Sequence, residues 1–470
     1  MSRRSNLFGV GITTLPSWAD YTALPAGNFI EFTLNTPNDV LMQRATLANW
    51  CGGVFVPDYG ARGGVCYHGG GEHSVWTDSL ASGGAGQNGV YVLDCDSRLY
   101  YRRAYPLMNH QGQIGGDLSN PTDDWGAYTD DPNVPQAKHT YASTSYMPAA
   151  WGGGSMGSYM RVSHAGGISL SRGPNPNAGG AYEPGLSATW KFDLSKASHT
   201  LADPSITKLT GSSVYDYGKV PNTDYAGRAG ATINNSPFAC IDLVRQGWWS
   251  THTAGSGWGG KMAFTSKTGV ITGPFGQAGF SNEAAIHHFA DDDIIVGLVD
   301  GQLANDIETE WQVWIWQAGT SNAWVRNTNF TRQNISETRA DLGYPGVKAY
   351  AAYGPEQPRW SSILGAFVWL DTQYPRGSAS TTSIRVWKLT PPAAGQRFTG
   401  QWSATYEIVT AKAGTEATNY MKMPFPPGTN DDAAILNNSY GRFVECPSLR
   451  AFVWTRDINK PGQLIRLQGM

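Results

Sequence analysis

One short hairpin recurs along this chain, and it constrains the fold more than any other feature. It consists of a strand, a turn with proline or aspartate, often an arginine, and a second apolar strand. It reads Gly53-Val-Phe-Val-Pro-Asp-Tyr-Gly-Ala-Arg-Gly-Gly-Val65 and returns as Val444-Glu-Cys-Pro-Ser-Leu-Arg-Ala-Phe-Val-Trp454, with a variant from Phe238 to Trp249. Weaker copies surround Pro148 and Pro355, and Asp291 takes a sixth equivalent position. With Pro57, Ile241 and Pro447, these positions lie on average about 78 residues apart, beyond the roughly 40–50 of compact propeller repeats. The excess falls in Gly/Asn/Pro-rich inserts such as residues 104–136 and 165–186. Helical periodicity is almost absent, and the apolar runs alternate, so the class is all-β.

Each unit offers further strands. Gly89 to Asp94 and Arg98 to Arg103 complete the first unit, and Ser187 to Asp193 extends the second. Glu310 to Trp316 and Ala323 to Arg326 complete the fourth, and Ser383 to Leu389 and Gln401 to Ile408 the fifth. The last unit has only three: Gly441 to Cys446, Arg450 to Thr455 and Gly462 to Leu467. A spare strand stands at the other end, Asn28 to Leu34. A ring of four-stranded sheets closes when its two chain ends share one sheet, which removes the open edge. The expectation is a six-bladed β-propeller of four-stranded blades, closed by pairing that N-terminal strand with the C-terminal blade. The blades fall at about 46–104, 136–200, 226–276, 281–328, 345–410 and 438–468 plus 28–34. Residues 1–27 form an N-terminal arm, and 28–470 the propeller.

Composition narrows the function. The chain of 470 residues carries 57 Gly and 27 Pro for turns, and 18 Trp and 22 Tyr for a core. Charged residues are only 15%, against about 25% in ordinary domains. The net charge of −3 excludes a strongly basic nucleic-acid coat and an acidic tail. No apolar run is long enough for a transmembrane helix, and the N-terminus lacks the apolar core of a signal peptide, so no membrane insertion is expected. The five cysteines, Cys51, Cys66, Cys95, Cys240 and Cys446, are odd in number and contain no Cys-x-x-Cys pair. All five are expected as free, mostly buried thiols in a reducing compartment, with at most Cys51–Cys66 as an exception.

The first two units resemble a known family. Gly69-Gly-Gly-Glu-His73, Asn88-Gly-Val-Tyr-Val-Leu-Asp94 and Tyr100-Tyr101 stand in the first, and Gly152-Gly-Gly154 with Thr189-Trp-Lys-Phe-Asp193 in the second. These look like the kelch or galactose-oxidase type of β-propeller, with a double glycine after the second strand and an aromatic third strand ending in Asp. The resemblance raises a copper oxidase, which would need two His ligands and a Tyr cross-linked to a Cys. His68 and His73 could converge across a Gly-rich turn. His287 and His288 point to opposite faces of a strand and could not both ligate one ion without a bulge. The family's C-terminal domain supplies a ligand, and no such source is expected here, since the last strand of the sequence reads as part of the last blade.

Other chemistry is weaker still. Asp291-Asp292-Asp293 and Asp130-Asp131 could act as paired carboxylates in a glycosidase, but runs of Asp read first as turn formers. No Gly-x-Ser-x-Gly elbow appears. Strand tryptophans such as Trp311, Trp314, Trp316, Trp369 and Trp387 read as packing between blades. Trp76, Trp125 and Trp258 stand in loops and are the candidates for glycan contacts. The expectation is therefore no catalytic residue, no cofactor and no metal.

The arm contains Arg3, Arg4, Leu7, Phe8, Leu15, Trp18 and Tyr21 amid Gly, Ser and Pro. Alone such a segment cannot build a core, and docking on a partner chain is the simplest way to order it. Together with a charge-poor surface and long inserts, this resembles a virion component of tailed bacteriophages, in particular the β-propeller nozzle of short-tailed phages. That resemblance implies a non-enzymatic tail protein, assembled in the host cytoplasm. Its partners would be other virion proteins of portal or adaptor type, or neighbouring tail subunits in a homo-oligomer. DNA would pass without specific binding. A glycan-binding propeller that recognises a host surface is the alternative.

Overall fold

The computed structural model describes residues 24–32, 52–68, 90–104, 143–162, 189–195, 217–219, 238–252, 261–273, 275–276, 285–299, 312–332, 358–371, 383–412, 442–455 and 462–470. Within them the fold is all-β: strands joined by tight turns, with two single 3-10 turns at Ala149–Trp151 and Pro447–Leu449. After an N-terminal strand, β1 (Asn28–Phe32), the chain builds four-stranded antiparallel sheets in sequence order. The first contains β2 (Gly53–Val56), β3 (Gly64–His68), β4 (Val90–Asp94) and β5 (Leu99–Ala104). The second contains β6 (Thr144–Met147), β7 (Ser158–Arg161), β8 (Trp190–Asp193) and β9 (Tyr217–Lys219). The third contains β10 (Ala239–Asp242), β11 (Gly247–His252), β12 (Lys261–Ser266) and β13 (Ile271–Thr272). The fourth contains β14 (Ala285–Phe289), β15 (Ile294–Val299), β16 (Gln312–Gln317) and β17 (Val325–Asn327).

The remaining strands share one nine-stranded sheet. After β18 (Phe330–Arg332) come β19 (Arg359–Ser361), β20 (Ala366–Asp371), β21 (Ser383–Thr390) and β22 (Trp402–Ala411), an antiparallel run. A second antiparallel run contains β23 (Phe443–Cys446), β24 (Ala451–Trp454), β25 (Gly462–Arg466) and β1. The expected pairing of the chain ends is present: Asn28 opposes Arg466, Phe29 opposes Ile465 and Ile30 opposes Leu464. Two parallel rungs, Asn28 with Thr410 and Phe29 with Ala411, join the two runs. They make nine strands out of what the sequence presents as two sets of four, with β18 added beside β22.

Alternation along β1 explains why this strand matters. Ile30 faces the cluster of Tyr67, Tyr91, Val453 and Leu464, while Phe29 faces that of Val368, Val386, Phe452 and Ile465. Both residues are buried. One five-residue strand thus fills both flanks of its sheet, as the period-2 pleat requires. Across the seam to the first sheet, Thr455 Oγ1 accepts the Tyr67 hydroxyl at 2.9 Å and meets the Tyr100 hydroxyl at 2.5 Å.

The first strands of successive runs touch in a closed order: β2 with β6, β6 with β10, β10 with β14, β14 with β19, β19 with β23, and β23 with β2. The turns that leave these strands all lie at one end of the molecule. Ala149 N donates to Asp58 Oδ2 at 2.8 Å between the first and second, and Ser448 Oγ donates to Arg62 O between the last and first.

Several sequence expectations shift in detail. The fifth hairpin turns at residues 362–365, where Gly365 N donates to Ser361 O at 2.9 Å. Pro355 lies outside the described residues. Ile241 is inside β10, and the turn follows at 243–246. The Gly152-Gly-Gly154 run sits in the turn between β6 and β7, before the second strand rather than after it. Its residues are required there. Gly154 has φ +81°, and a Cβ on it would stand 2.2 Å from Asp193 Oδ1. A Cβ on Gly153 would stand 2.2 Å from Met147 O.

Asp at the ends of third strands is explained by turn chemistry. Asp94 Oδ1 accepts Asp96 N at 2.8 Å, and Asp193 Oδ1 accepts Ser195 N at 3.0 Å, closing Asx turns. Cys66, Cys95, Cys240 and Cys446 are buried free thiols; Cys51 lies outside the described residues.

Candidate functional site

The sequence ends β10 with Asp242, and an aspartate there captures the following turn. Its Oδ1 accepts the N–H groups of Val244 at 3.0 Å and Arg245 at 2.8 Å. Gln246 closes that turn in the left-handed region, at φ +56°. Trp249, returning on β11, donates its indole N–H to Asp242 Oδ2 at 2.9 Å. This fold-back directs the Arg245 guanidinium toward the neighbouring sheet. Arg245 Nη1 reaches Asp242 Oδ2 at 2.9 Å, and its two terminal nitrogens grip Asp293 at 2.5 and 2.6 Å.

Asp293 closes the turn between β14 and β15 at φ +53°. His288 of β14 stands between the two carboxylates. Its Nε2 is 3.1 Å from Asp293 Oδ1 and its Nδ1 3.6 Å from Asp242 Oδ1.

The electrostatics follow from these contacts. Burial acts to raise the Asp242 carboxyl, but hydrogen bonds from Arg245 N–H and Trp249, with His288 beside it, hold it below the ordinary range. The hydrogen bond from Arg245 holds Asp293 low as well, against partial burial. Asp293 in turn raises the Arg245 guanidinium. Both carboxylates are therefore held ionised, which disqualifies them as general acids near neutral pH.

One atom each from Asp242, His288 and Asp293 lies within 4.8 Å of the others, a donor set that suits a divalent cation. Arg245 already bridges both carboxylates, so an ion would have to displace its guanidinium. The His288 side chain is only 2% exposed. The arrangement works as an ion-pair lock between the third and fourth sheets.

A second lock adjoins it. Arg397, in the turn between β21 and β22, binds Asp291 at 2.7 and 2.9 Å and Asp292 at 2.7 Å. Its guanidinium lies 4.0 Å above the Phe289 ring. Burial acts to lower Arg397, but the two carboxylates outweigh it and the net shift is upward. Gly395 N adds a bond to Asp292 Oδ1 at 2.6 Å. The fifth and sixth runs are tied by Glu445, whose carboxylate accepts the Ser361 hydroxyl, the Ser362 N–H at 2.9 Å and the Ser362 hydroxyl at 3.0 Å. The second and third are tied by Trp248 Nε1 on Tyr146 O at 3.2 Å.

The sequence-named candidates divide sharply. Arg3, Arg4, Leu7, Phe8, Trp18, Tyr21, Trp76, Trp125, Trp258 and His73 lie outside the described residues, as do Asp130 and Asp131. His68 ends β3. His287 and His288 do face opposite ways. His287 stacks on Trp360 at 4.7 Å and 17°, toward the fifth run, while His288 faces the third sheet. Burial pushes the His287 imidazole down to about 3, and neighbouring His288 and Arg397 push the same way. Trp316, Trp369 and Trp387 are buried core side chains. The acidic run was visible in sequence as a turn former. Its partners Arg245 and Arg397 were not, since they come from other sheets.

No family model matches this chain, and no curated protein does. Among solved structures, it is similar to the crystal structure of a putative exo-β-1,3-galactanase from Bifidobacterium bifidum. The two share 9% identity, the match covers 83% of this chain and 99% of that one, and the TM-score is 0.36.

Proposed function

We propose that this chain is a six-bladed β-propeller, kelch-like in plan, that serves as a non-enzymatic structural component of a bacteriophage tail, in the manner of a nozzle protein. The closed order of six first strands supports the blade count, with the last blade completed by β1. One observation carries the non-enzymatic role: among the described residues, the clustered His, Asp and Arg side chains are spent on tying one sheet to the next. Asp58, Asp242, Asp293, Arg397 and Glu445 each bridge adjacent sheets at the turn end. The low charge of the chain suits contacts with other subunits and a passage that DNA does not adhere to.

Light scattering on the purified full chain, with metal analysis of the same sample, tests this reading. The expected result is a discrete homo-oligomer free of stoichiometric metal. A monomer carrying one copper or another transition ion per chain contradicts it.

A further inference from the structure

Three apolar side chains stand in water at the turn end of the third sheet. Leu243 is 57% exposed, Val244 66% and Val270 56%. They form one surface, because the turn at 243–246 and the turn between β12 and β13 are bonded to each other. Lys267 N donates to Gln246 O at 2.9 Å, and Lys267 Nζ to Gln246 Oε1 at 2.5 Å. Isolated exposed apolar residues need no explanation, but a cluster on a paired turn marks a contact surface. Neither turn requires them: the Asx geometry at Asp242 uses backbone N–H groups, and polar residues would serve equally.

The position of the N-terminus supplies the occupant. Asn28 opposes Arg466, and Leu24 O accepts Arg466 Nη1 at 3.0 Å, so the chain enters β1 from the turn end of the molecule. Residues 1–23 therefore depart from the same end that carries the apolar cluster. Extended, they reach about 75 Å. They hold Leu7, Phe8, Leu15 and Trp18, with Arg3 and Arg4 near the start. Beside the cluster, four carboxylates (Asp242, Asp291, Asp292 and Asp293) face two guanidiniums (Arg245 and Arg397). Asp291 and Asp293 keep side-chain exposures of 52% and 43%. Asp291 and Asp293 thus stay accessible near the surface, with Lys267 on its paired turn, and the arm brings apolar anchors with two arginines.

We infer that the Leu243/Val244/Val270 surface is the dock for residues 1–23 of a neighbouring copy. This rests on the assembly reading above and specifies its contact. In the closed order of sheets, the exit point in the sixth run and the dock on the third are three steps apart either way. An arm-to-dock contact is then heterologous, linking copies side by side, and it closes into a ring when the rotation permits.

The test places a photo-cross-linking residue at Phe8 in the full chain and mixes ¹⁴N- and ¹⁵N-labelled protein before irradiation. Cross-links from position 8 to the peptides carrying 243–244 or 270, with mixed isotopes, are expected. The Val244→Asp/Val270→Asp double variant should lower their yield at least tenfold while leaving the thermal transition of the chain in place. Mixed-isotope cross-links that land elsewhere overturn this dock and leave the assembly reading standing. Cross-links confined to one copy, in a sample that light scattering finds monomeric, overturn both.

Discussion

Phe29 and Ile465 face each other across an antiparallel rung although nearly the whole chain separates them. Their side chains share one apolar cluster with Val368 and Phe452. Removal of β1 would expose the edge of β25 and open two clusters together. Phe29→Ala is expected to cost about 3–5 kcal/mol, the range for a buried Phe. Deleting residues 1–35 should abolish cooperative unfolding, whereas deleting 1–23 should leave it, since Leu24 is the first buried residue described. Denaturant melts of the three variants check this; a cooperative melt without residues 1–35 contradicts the closure.

The locks between sheets differ in weight. Asp242 is fully buried and satisfies two N–H groups and an indole. Asp242→Ala leaves a buried Trp249 N–H and part of the Arg245 guanidinium without acceptors, so a loss of about 3 kcal/mol is expected. Asp291 is 52% exposed, and the buried Arg397 keeps Asp292 as a second carboxylate when Asp291 is neutralised. Asp291→Asn should cost less than about 1 kcal/mol. Equal effects of the two substitutions on the melting midpoint would contradict this ranking.

Acid should loosen the molecule. His287 is held near 3 in the fold against an unfolded value of about 6.5. The neutral imidazole is favoured by folding, so its contribution is complete above about pH 6.5 and is lost as pH falls toward 3, at up to about 1.4 kcal/mol per unit. Asp242, Asp291 and Asp293 are also held low, so their contributions too are lost as acid protonates them. His287→Phe should flatten the fall of unfolding free energy between pH 6.5 and 4. An unchanged slope would remove His287 from the account.

The thiols should be silent in the native protein. Burial raises Cys446 and Cys240, and Cys95 beside Cys446 adds to the effect there. A thiol-specific chromogenic reagent should find at most Cys51 reactive at neutral pH, and all five in denaturant without reductant. Fewer than five in denaturant would show a disulfide.

The strands with strong alternation were legible in sequence. Ser383–Thr390, Gln312–Gln317 and Val90–Asp94 fall where β-branched and aromatic residues recur between turn residues. Two short outer strands were not. Tyr217–Lys219 and Ile271–Thr272 are too short for any period to show, and pairing to an inner neighbour makes them strands. The locks were legible only by halves. Asp291 to Asp293 and His288 announced a polar turn, but Arg245, Asp242 and Arg397 belong to other sheets. Nothing local says which turns become neighbours. The glycine run at 152–154 falls one strand earlier than the family pattern places it, because the backbone need at Gly153 and Gly154 governs its position.

Electron cryo-microscopy of the assembled full-length protein tests the central claim most directly. The account predicts a closed ring of copies, each a six-bladed disc whose last blade contains residues 28–32, with density for residues 1–23 lying on the third blade of the adjoining copy. Isolated copies, or discs with a different number of blades, would contradict it.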